Sequence, residues 1–169
     1  MTSRRVLDFD PIEEARRQWV DHDWGEAADG MAIVTSIVRV DQIFQARIDA
    51  VLRDLDLTFA RYELLVLLDF SSSGALPLGK IGERLQVHPA SVTNAVDRLE
   101  ADDFVRRQPH PDDGRATLAT LTTSGRRIAR RATRLLNEQV FATTGLDTAD
   151  LEQLFGLLRK LRHTAGDFT

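Results

Sequence analysis

The chain of 169 residues contains no cysteine, only two tryptophans and one tyrosine. Without cysteine, the chain has no disulfide bonds, no thiolate zinc sites and no cysteine-based redox sensing. The four histidines are scattered, and none has the histidine partner four residues away that builds a helical metal site. We therefore expect no metal site and no cofactor.

Long apolar runs are also missing. No stretch approaches the ~18 apolar residues of a membrane span, and the opening MTSRRVLDFD lacks the apolar core of a signal peptide. The chain also lacks a GxSxG nucleophile elbow, a phosphate-binding loop and a GxGxxG fingerprint. These absences predict a cytoplasmic protein that has no membrane partner and is not an enzyme.

What the chain does contain is the composition of a globular protein with an uneven charge. Hydrophobic residues make up 43% of it, and the net charge is −4. Residues 79–131 nevertheless carry ten Lys and Arg against seven Asp and Glu, whereas the rest carries twelve against nineteen. A local basic excess is typical of a surface that contacts phosphates. The alternative is ordinary variation in a mixed surface.

Residues 78–122 begin with two short helical patterns. Ile81 and Leu85 share one face of the first helix. A short connector, in which Val87 is expected to point inward, leads to a second helix that begins near Pro89. The apolar residues of this second helix recur at helical spacing, and they are Val92, Ala95, Val96 and Leu99. Its opposite face suits docking into the major groove of DNA, and it consists of Ala90, Ser91, Thr93, Asn94, Asp97 and Arg98.

The second half of this stretch predicts a two-stranded hairpin. Residues 104–108 have strand character, residues 116–121 alternate in polarity, and Asp113-Gly114 between them is a strong turn signal. Arg115 at the tip supplies a cation that a narrow, electronegative minor groove attracts. The expected fold class is therefore mainly α with a small β-wing, a winged helix-turn-helix with N- and C-terminal dimerisation helices.

With these motifs, the sequence resembles the MarR family of bacterial transcription regulators. The resemblance is carried by VHPASVTNAVDRLEADDFVRR, by the wing segment DDGRATLATLT and by LTFARYELLVLL upstream, and it extends over roughly residues 31–163. Three positions depart from the family pattern. Gln86 and Asp103 stand where glycine is usual, and Gly114 stands where several members carry a second wing arginine.

The resemblance implies a homodimer that binds a near-palindromic operator in double-stranded DNA, with the second helix in the major groove and the wing at the minor groove. It implies a repressor, with activation as the alternative, that a small aromatic or carboxylate effector releases. The expected DNA-binding residues are His88, Pro89, Ala90, Ser91, Thr93, Asn94, Arg98, Arg107, Asp113 and Arg115. The expected effector-binding residues are Trp19, Arg61 and Tyr62, and core packing is the alternative for each.

A different function also fits a winged helix, namely a protein–protein interaction module without sequence-specific DNA binding. Such a module should expose apolar or aromatic residues on the second helix. The polar face described above, with Ser91, Thr93 and Asn94, favours DNA instead.

The remaining segments complete the expected organisation. Asp10 is expected to cap a short N-terminal helix, a long helix is expected over residues 31–55, and residues 75–78 are expected to add a third strand to the wing. That long helix is apolar on more than one face, which indicates a partner subunit. The expected regions are an N-terminal extension (1–30), a dimerisation helix (31–57), the winged helix-turn-helix DNA-binding region (58–122) and C-terminal helices that complete the dimer interface (123–169).

Overall fold

The structure is a computed structural model that describes residues 6–111, 113 and 116–169. It confirms the predicted fold class, because most of the described chain is helical and three short strands form a small antiparallel sheet. The elements follow in the order α1 (Pro11–Asp21), α2 (Gly25–Arg53), α3 (Phe59–Phe70), β1 (Ala75–Pro77), α4 (Leu78–Leu85), α5 (Pro89–Ala101), β2 (Val105–Pro109), β3 (Thr117–Leu121), α6 (Thr123–Leu136) and α7 (Thr148–Thr164). Within these described ranges, no helix has both the length and the apolar character needed to cross a membrane.

Residues 6–50 form one compact unit, which contains α1 and most of α2. The predicted cap of α1 is confirmed, since the Asp10 carboxylate accepts a hydrogen bond from the backbone N–H of Ile12 at 2.8 Å. The long helix α2 begins at Gly25 rather than at residue 31. It starts earlier because Asp23, in a left-handed conformation with φ of 63°, makes the link from α1 very short.

Residues 51–169 form the second unit, and its core lies between α3, α4, α5, α6 and the sheet. Three of the four residues of the stripe predicted for the second helix of the pair are buried there, with Val92, Val96 and Leu99 at most 2% exposed, whereas Ala95 is half-buried. The core residues that surround it are equally buried, and they include Leu64, Leu65, Leu68, Ile81, Val105, Ala119 and Leu136. Burial of this stripe fixes which face of α5 remains outside.

The sheet has the strand order β1-β3-β2. In the hairpin, β2 and β3 pair antiparallel from Val105 with Leu121 to Pro109 with Thr117. The expected third strand is confirmed, because Ala75 pairs with Thr120 and β1 runs antiparallel to β3.

The start of α6 packs closely against the chain that follows α5. Thr122 caps α6, and its Oγ1 accepts a hydrogen bond from the Gly125 N–H at 2.9 Å. A Cβ at position 125 would clash with the carbonyl oxygen of Phe104, so this approach requires glycine. At its other end, α6 continues into a π-helical turn, Asn137–Phe141, which the sequence pattern did not predict.

Candidate nucleic-acid interface

The helix α5 has one polar, exposed face, and its opposite face is buried in the core. His88 caps it, with Nδ1 accepting a hydrogen bond from the Ala90 N–H at 3.2 Å, and Pro89 occupies the first turn. The face opposite to the buried stripe is exposed to solvent, and it carries Ala90, Ser91, Thr93, Asn94, Asp97 and Arg98. Small and polar side chains at the N-terminal end of an exposed helix are suited to meeting base edges and phosphates.

The connector between α4 and α5 is built on an unusual residue. Gln86 is the C-cap of α4 in a left-handed conformation with φ of 53°, and Asp103, one residue beyond the C-cap of α5, is also left-handed with φ of 55°. Both are the positions where glycine was expected, and a left-handed backbone explains that expectation because glycine adopts it without strain. The prediction for Val87 was wrong, since its side chain is 39% exposed, beside the groove between α4 and α5.

Arg107 on β2 is held by carboxylates of α5. Its Nη2 lies 2.7 Å from Asp97 Oδ1, and its Nη1 lies 2.6 Å from Glu100 Oε2. The backbone N–H of Arg107 donates to Glu100 Oε1 at 2.9 Å. These hydrogen bonds lower the pKa of the Glu100 carboxyl, the backbone N–H contributing most. The contacts attach the wing to the exposed helix, which is a role that sequence reasoning missed. The sequence did contain a signal for this contact, because Asp97 and Glu100 lie three residues apart on one helix and can therefore bind the same basic side chain.

The predicted effector residues are engaged within the chain. Tyr62 is buried, and its hydroxyl lies 3.1 Å from the Thr133 hydroxyl. Arg61 donates from Nη2 to the Asp56 carbonyl at 2.7 Å, and its Nη1 lies 3.4 Å from Asp102 Oδ2 near the end of α5. Trp19, in the unit of residues 6–50, packs edge-on against Trp24 with ring centroids 5.3 Å apart.

The wing tip is only partly described. Asp113 is exposed, and its carbonyl accepts a hydrogen bond from the Ala116 N–H at 3.0 Å, which helps to close the turn. Arg115, predicted to reach the minor groove, and the neighbouring Gly114 lie outside the described residues. In the part of the chain that the structure does describe, no group of three or more His, Asp and Glu side chains is arranged to hold a metal ion.

Two helices joined by a tight turn, a polar face on the second of them and a two-stranded wing define a winged helix-turn-helix protein. The sequence model of the MarR family matches residues 57–117. Sco5413, a MarR family transcriptional regulator from Streptomyces coelicolor, is 51% identical, with a TM-score of 0.75 over 83% of this chain and 97% of that chain. The chain therefore belongs to the MarR family, as its sequence predicted.

Two further structures share the fold at 25% identity. The first is a mutant MarR from Escherichia coli complexed with operator DNA, with a TM-score of 0.72 over 80% of this chain and 96% of that chain. The second is BpsR from Bordetella bronchiseptica, whose DNA binding is regulated by 6-hydroxynicotinic acid, with a TM-score of 0.70 over 76% and 91%.

The first curated relatives are bacterial HTH-type transcriptional regulators at 33–34% identity, and the chain spans about half of their length, 53–54%. These relatives are regulators and not enzymes, which confirms that prediction.

Proposed function

We propose that this protein is a sequence-specific DNA-binding transcription regulator that reads the major groove with α5. The observation that carries the proposal is the exposed face of α5, where Ala90, Ser91 and Asn94 lie opposite a fully buried stripe. An amide such as that of Asn94 bonds to adenine through two hydrogen bonds, and a small methyl group meets the methyl group of thymine. The relative solved on operator DNA has the same fold, which supports this reading.

The wing supplies the second contact in this proposal. In the sequence, Arg115 stands between the residues of β2 and those of β3, two residues after Asp113. A cation at a hairpin tip is attracted by the electronegative minor groove beside the major groove that α5 occupies. The N-cap His88 and three further exposed residues of α5, Pro89, Thr93 and Arg98, complete the proposed footprint.

The regulator acts as a homodimer in this proposal. Apolar side chains stay exposed on α2, among them Ile33, Val34, Ile37 and Val38. A second exposed apolar set lies on α7, and it includes Leu151, Leu154, Phe155, Leu157 and Leu161. Contiguous apolar surface of this kind on a monomer marks an association site. Light scattering should therefore report about twice the 19.0 kDa chain mass.

We further propose repression that a small aromatic carboxylate relieves, as in the relative regulated by 6-hydroxynicotinic acid. An open cavity of about 560 Å³ separates the start of α3 from α5, and Arg61, Ser91, Asn94 and Arg98 line it. This is the size range of ligand pockets. A carboxylate bound here would compete with Asp102 for Arg61, and loss of that ion pair would loosen the end of α5. Thermal shift and DNA release with a panel of phenolic and carboxylic acids test this part.

The DNA-binding proposal is tested by selecting duplexes from a random-sequence pool with the wild-type protein. We expect enrichment of a near-palindrome whose half-sites lie about one helical turn, ~34 Å, apart. The selected duplex should bind at least about a thousandfold more tightly than a random duplex of equal length at the same salt concentration. A pool that shows no enrichment, with equal binding to both duplexes, would instead support a protein-binding module.

A further inference from the structure

The last residues of the described chain form a hook that turns back along α7. We define the hook as residues 165–169. The turn is made by Gly166, whose φ of +78° is left-handed, and its N–H donates to the His163 carbonyl at 3.0 Å. The Asp167 N–H then donates to the Arg162 carbonyl at 3.0 Å. These bonds terminate the helix and reverse the direction of the chain.

Phe168 fixes the hook against the helix. Its ring lies under two guanidinium groups, with 5.1 Å from its centroid to Cζ of Arg159 and 5.6 Å to that of Arg162. The ring of His163 packs edge-on against it, with centroids 5.6 Å apart. Arg162 also pairs with the Asp167 carboxylate at 3.5 Å. Cation–π and ion-pair contacts that share one arginine hold the hook in a defined place.

The hook contacts the turn between α4 and α5, which is the turn of the helix-turn-helix. Gln86 Nε2 donates a hydrogen bond to the backbone carbonyl of Asp167 at 2.7 Å, across 81 residues of sequence. Gln86 is the left-handed residue that ends α4 and leads into α5. A side chain with a Cβ disfavours that backbone conformation, so an outside contact that holds Gln86 helps to set the direction in which α5 leaves the turn.

We propose that the hook is a positioning element for DNA reading, in which the Asp167 carbonyl holds Gln86 and thereby the angle between α4 and α5. The proposal rests on the DNA-binding function proposed above. It also gives α7 a second task. The helix that carries the exposed apolar set of Leu151 to Leu161 ends beside the turn between α4 and α5, so in this proposal the position of α7 also affects the position of α5.

The chain offers a matched control. Asp103 has nearly the same left-handed φ as Gln86, 55° against 53°, and it also follows a helix of the pair, one residue beyond the C-cap, but its side chain pairs with Arg106 and not with the hook. Glycine at either position relieves the backbone equally. Only Gln86→Gly also removes the hydrogen bond to Asp167. Phe168→Ala loosens the hook from the other side without a change at the turn.

The experiment measures binding of the wild-type chain, Q86G, F168A, the double variant and D103G to the selected duplex and to a random duplex. Amide hydrogen exchange over residues 82–92 is followed in parallel. We expect Q86G and F168A each to weaken specific binding roughly two- to tenfold, the effect of one neutral hydrogen bond. The double variant should lose no more than either single variant, because both changes break one linkage. Exchange at the turn should accelerate in both, and D103G should bind like the wild type.

The outcomes separate the two proposals. If Q86G binds the selected duplex as tightly as D103G does, and if its amide hydrogens at the turn exchange as slowly, Gln86 is an ordinary strained turn residue and the positioning role is wrong. Losses that multiply in the double variant also overturn it, since the two residues would then act independently. A wild type that selects no duplex removes the DNA-binding function itself. In that case, faster amide exchange at the turn in Q86G and F168A would still show that the hook holds the turn, whereas unchanged exchange would show that it does not.

Discussion

Arg107 on β2 lies with its Nη2 2.7 Å from Asp97 Oδ1 on α5, so the wing and the reading helix are joined by an ion pair. Glu100 takes the other side of the same guanidinium at 2.6 Å. Both carboxylates belong to the helix proposed to enter the major groove, where unpaired negative charge would repel phosphates. Arg107 therefore has two effects, since it fixes the wing against α5 and neutralises negative charge on the helix that is proposed to enter the groove.

The first prediction follows from this double role. Arg107→Ala should lower the free energy of unfolding by about 1–2 kcal/mol, because two charge-assisted contacts are lost at a partly exposed site. It should also weaken binding to the selected duplex. The neighbouring Arg106 is the matched control, since it points to the other side of β2 and pairs only loosely with Asp103 at 3.6 Å. Arg106→Ala should leave stability within about 0.5 kcal/mol of the wild type.

Salt titrations distinguish positioning from direct phosphate contact at Arg107. If Arg107 acts only by fixing the wing against α5, Arg107→Ala weakens binding with an unchanged slope of log affinity against log salt. If Arg107 contacts a phosphate, as the sequence suggested, the slope falls by about one. Chemical denaturation of the same variants supplies the stability values. A loss of affinity in Arg107→Ala without any loss of stability would contradict the bracing role.

The second prediction concerns pH. The hydrogen bonds from Arg107 hold the pKa of the Glu100 carboxyl below its usual value. The unfolded state therefore takes up a proton at a higher pH than the folded state does, and the stabilisation is present at neutral pH and is lost as the pH falls. The difference in melting temperature between the wild type and Glu100→Gln should be constant near pH 7 and should shrink between about pH 5 and pH 3. A difference that does not change with pH would show that Glu100 titrates normally.

Local periodicity explains what could be predicted from the sequence. Val92, Val96 and Leu99 recur at helical spacing, and this alone identifies the buried face of α5 and hence the exposed face with Asn94. The wing hairpin was predictable for a similar reason, since alternating residues flank a strong turn signal at Asp113. Both features depend on neighbours within a few residues, which a sequence displays directly.

The missed features depend on contacts between distant segments. The pairing of Arg107 with Asp97 requires the placement of β2 beside α5, and the bond from Gln86 to Asp167 requires the path of α7. The early start of α2 depends on one backbone angle at Asp23, which no apolar pattern encodes. Long-range geometry of this kind follows from packing and not from propensity.

The third prediction tests a close approach in the scaffold. Gly125→Ala should destabilise the protein by about 2–3 kcal/mol, because the new Cβ would press on the Phe104 carbonyl and on Leu121 in a filled core. Gly79 is the control, since a Cβ there meets nothing within 4 Å. Gly79→Ala should be neutral or stabilising by up to about 1 kcal/mol, as expected for alanine in a helix. Equal melting temperatures for the two variants would mean that Phe104 and Leu121 can shift to make room.

The fourth prediction addresses base reading. Asn94→Ala should cost roughly 1–3 kcal/mol on the selected duplex and relax the base preference at one position in each half-site. Binding to a random duplex should change little, because an amide contributes little to phosphate contact. Since Asn94 is exposed, its removal should leave the melting temperature unchanged. Equal losses on the selected and the random duplex would show that Asn94 does not read bases.

The last prediction separates positioning from reading at the wing. Arg115 follows a strong turn signal, and a contact with the minor groove or its phosphates is mostly electrostatic. Arg115→Ala should therefore weaken binding to the selected and the random duplex by similar factors. It should also lower the slope of log affinity against log salt by about one. A loss confined to the selected duplex would mean that Arg115 reads sequence.

We expect Asp113 to influence how that arginine meets DNA. A carboxylate two residues away can accept a hydrogen bond from the guanidinium, and an arginine held in one rotamer loses less entropy when it meets DNA. Asp113→Ala should then give a smaller loss than Arg115→Ala in the same direction, although it removes a negative charge near phosphates. A pure charge argument predicts the opposite sign, which is tighter binding. Salt-series titrations of the wild type and both variants decide between them. Tighter binding by Asp113→Ala would show that the aspartate only closes the turn through its backbone contact with Ala116.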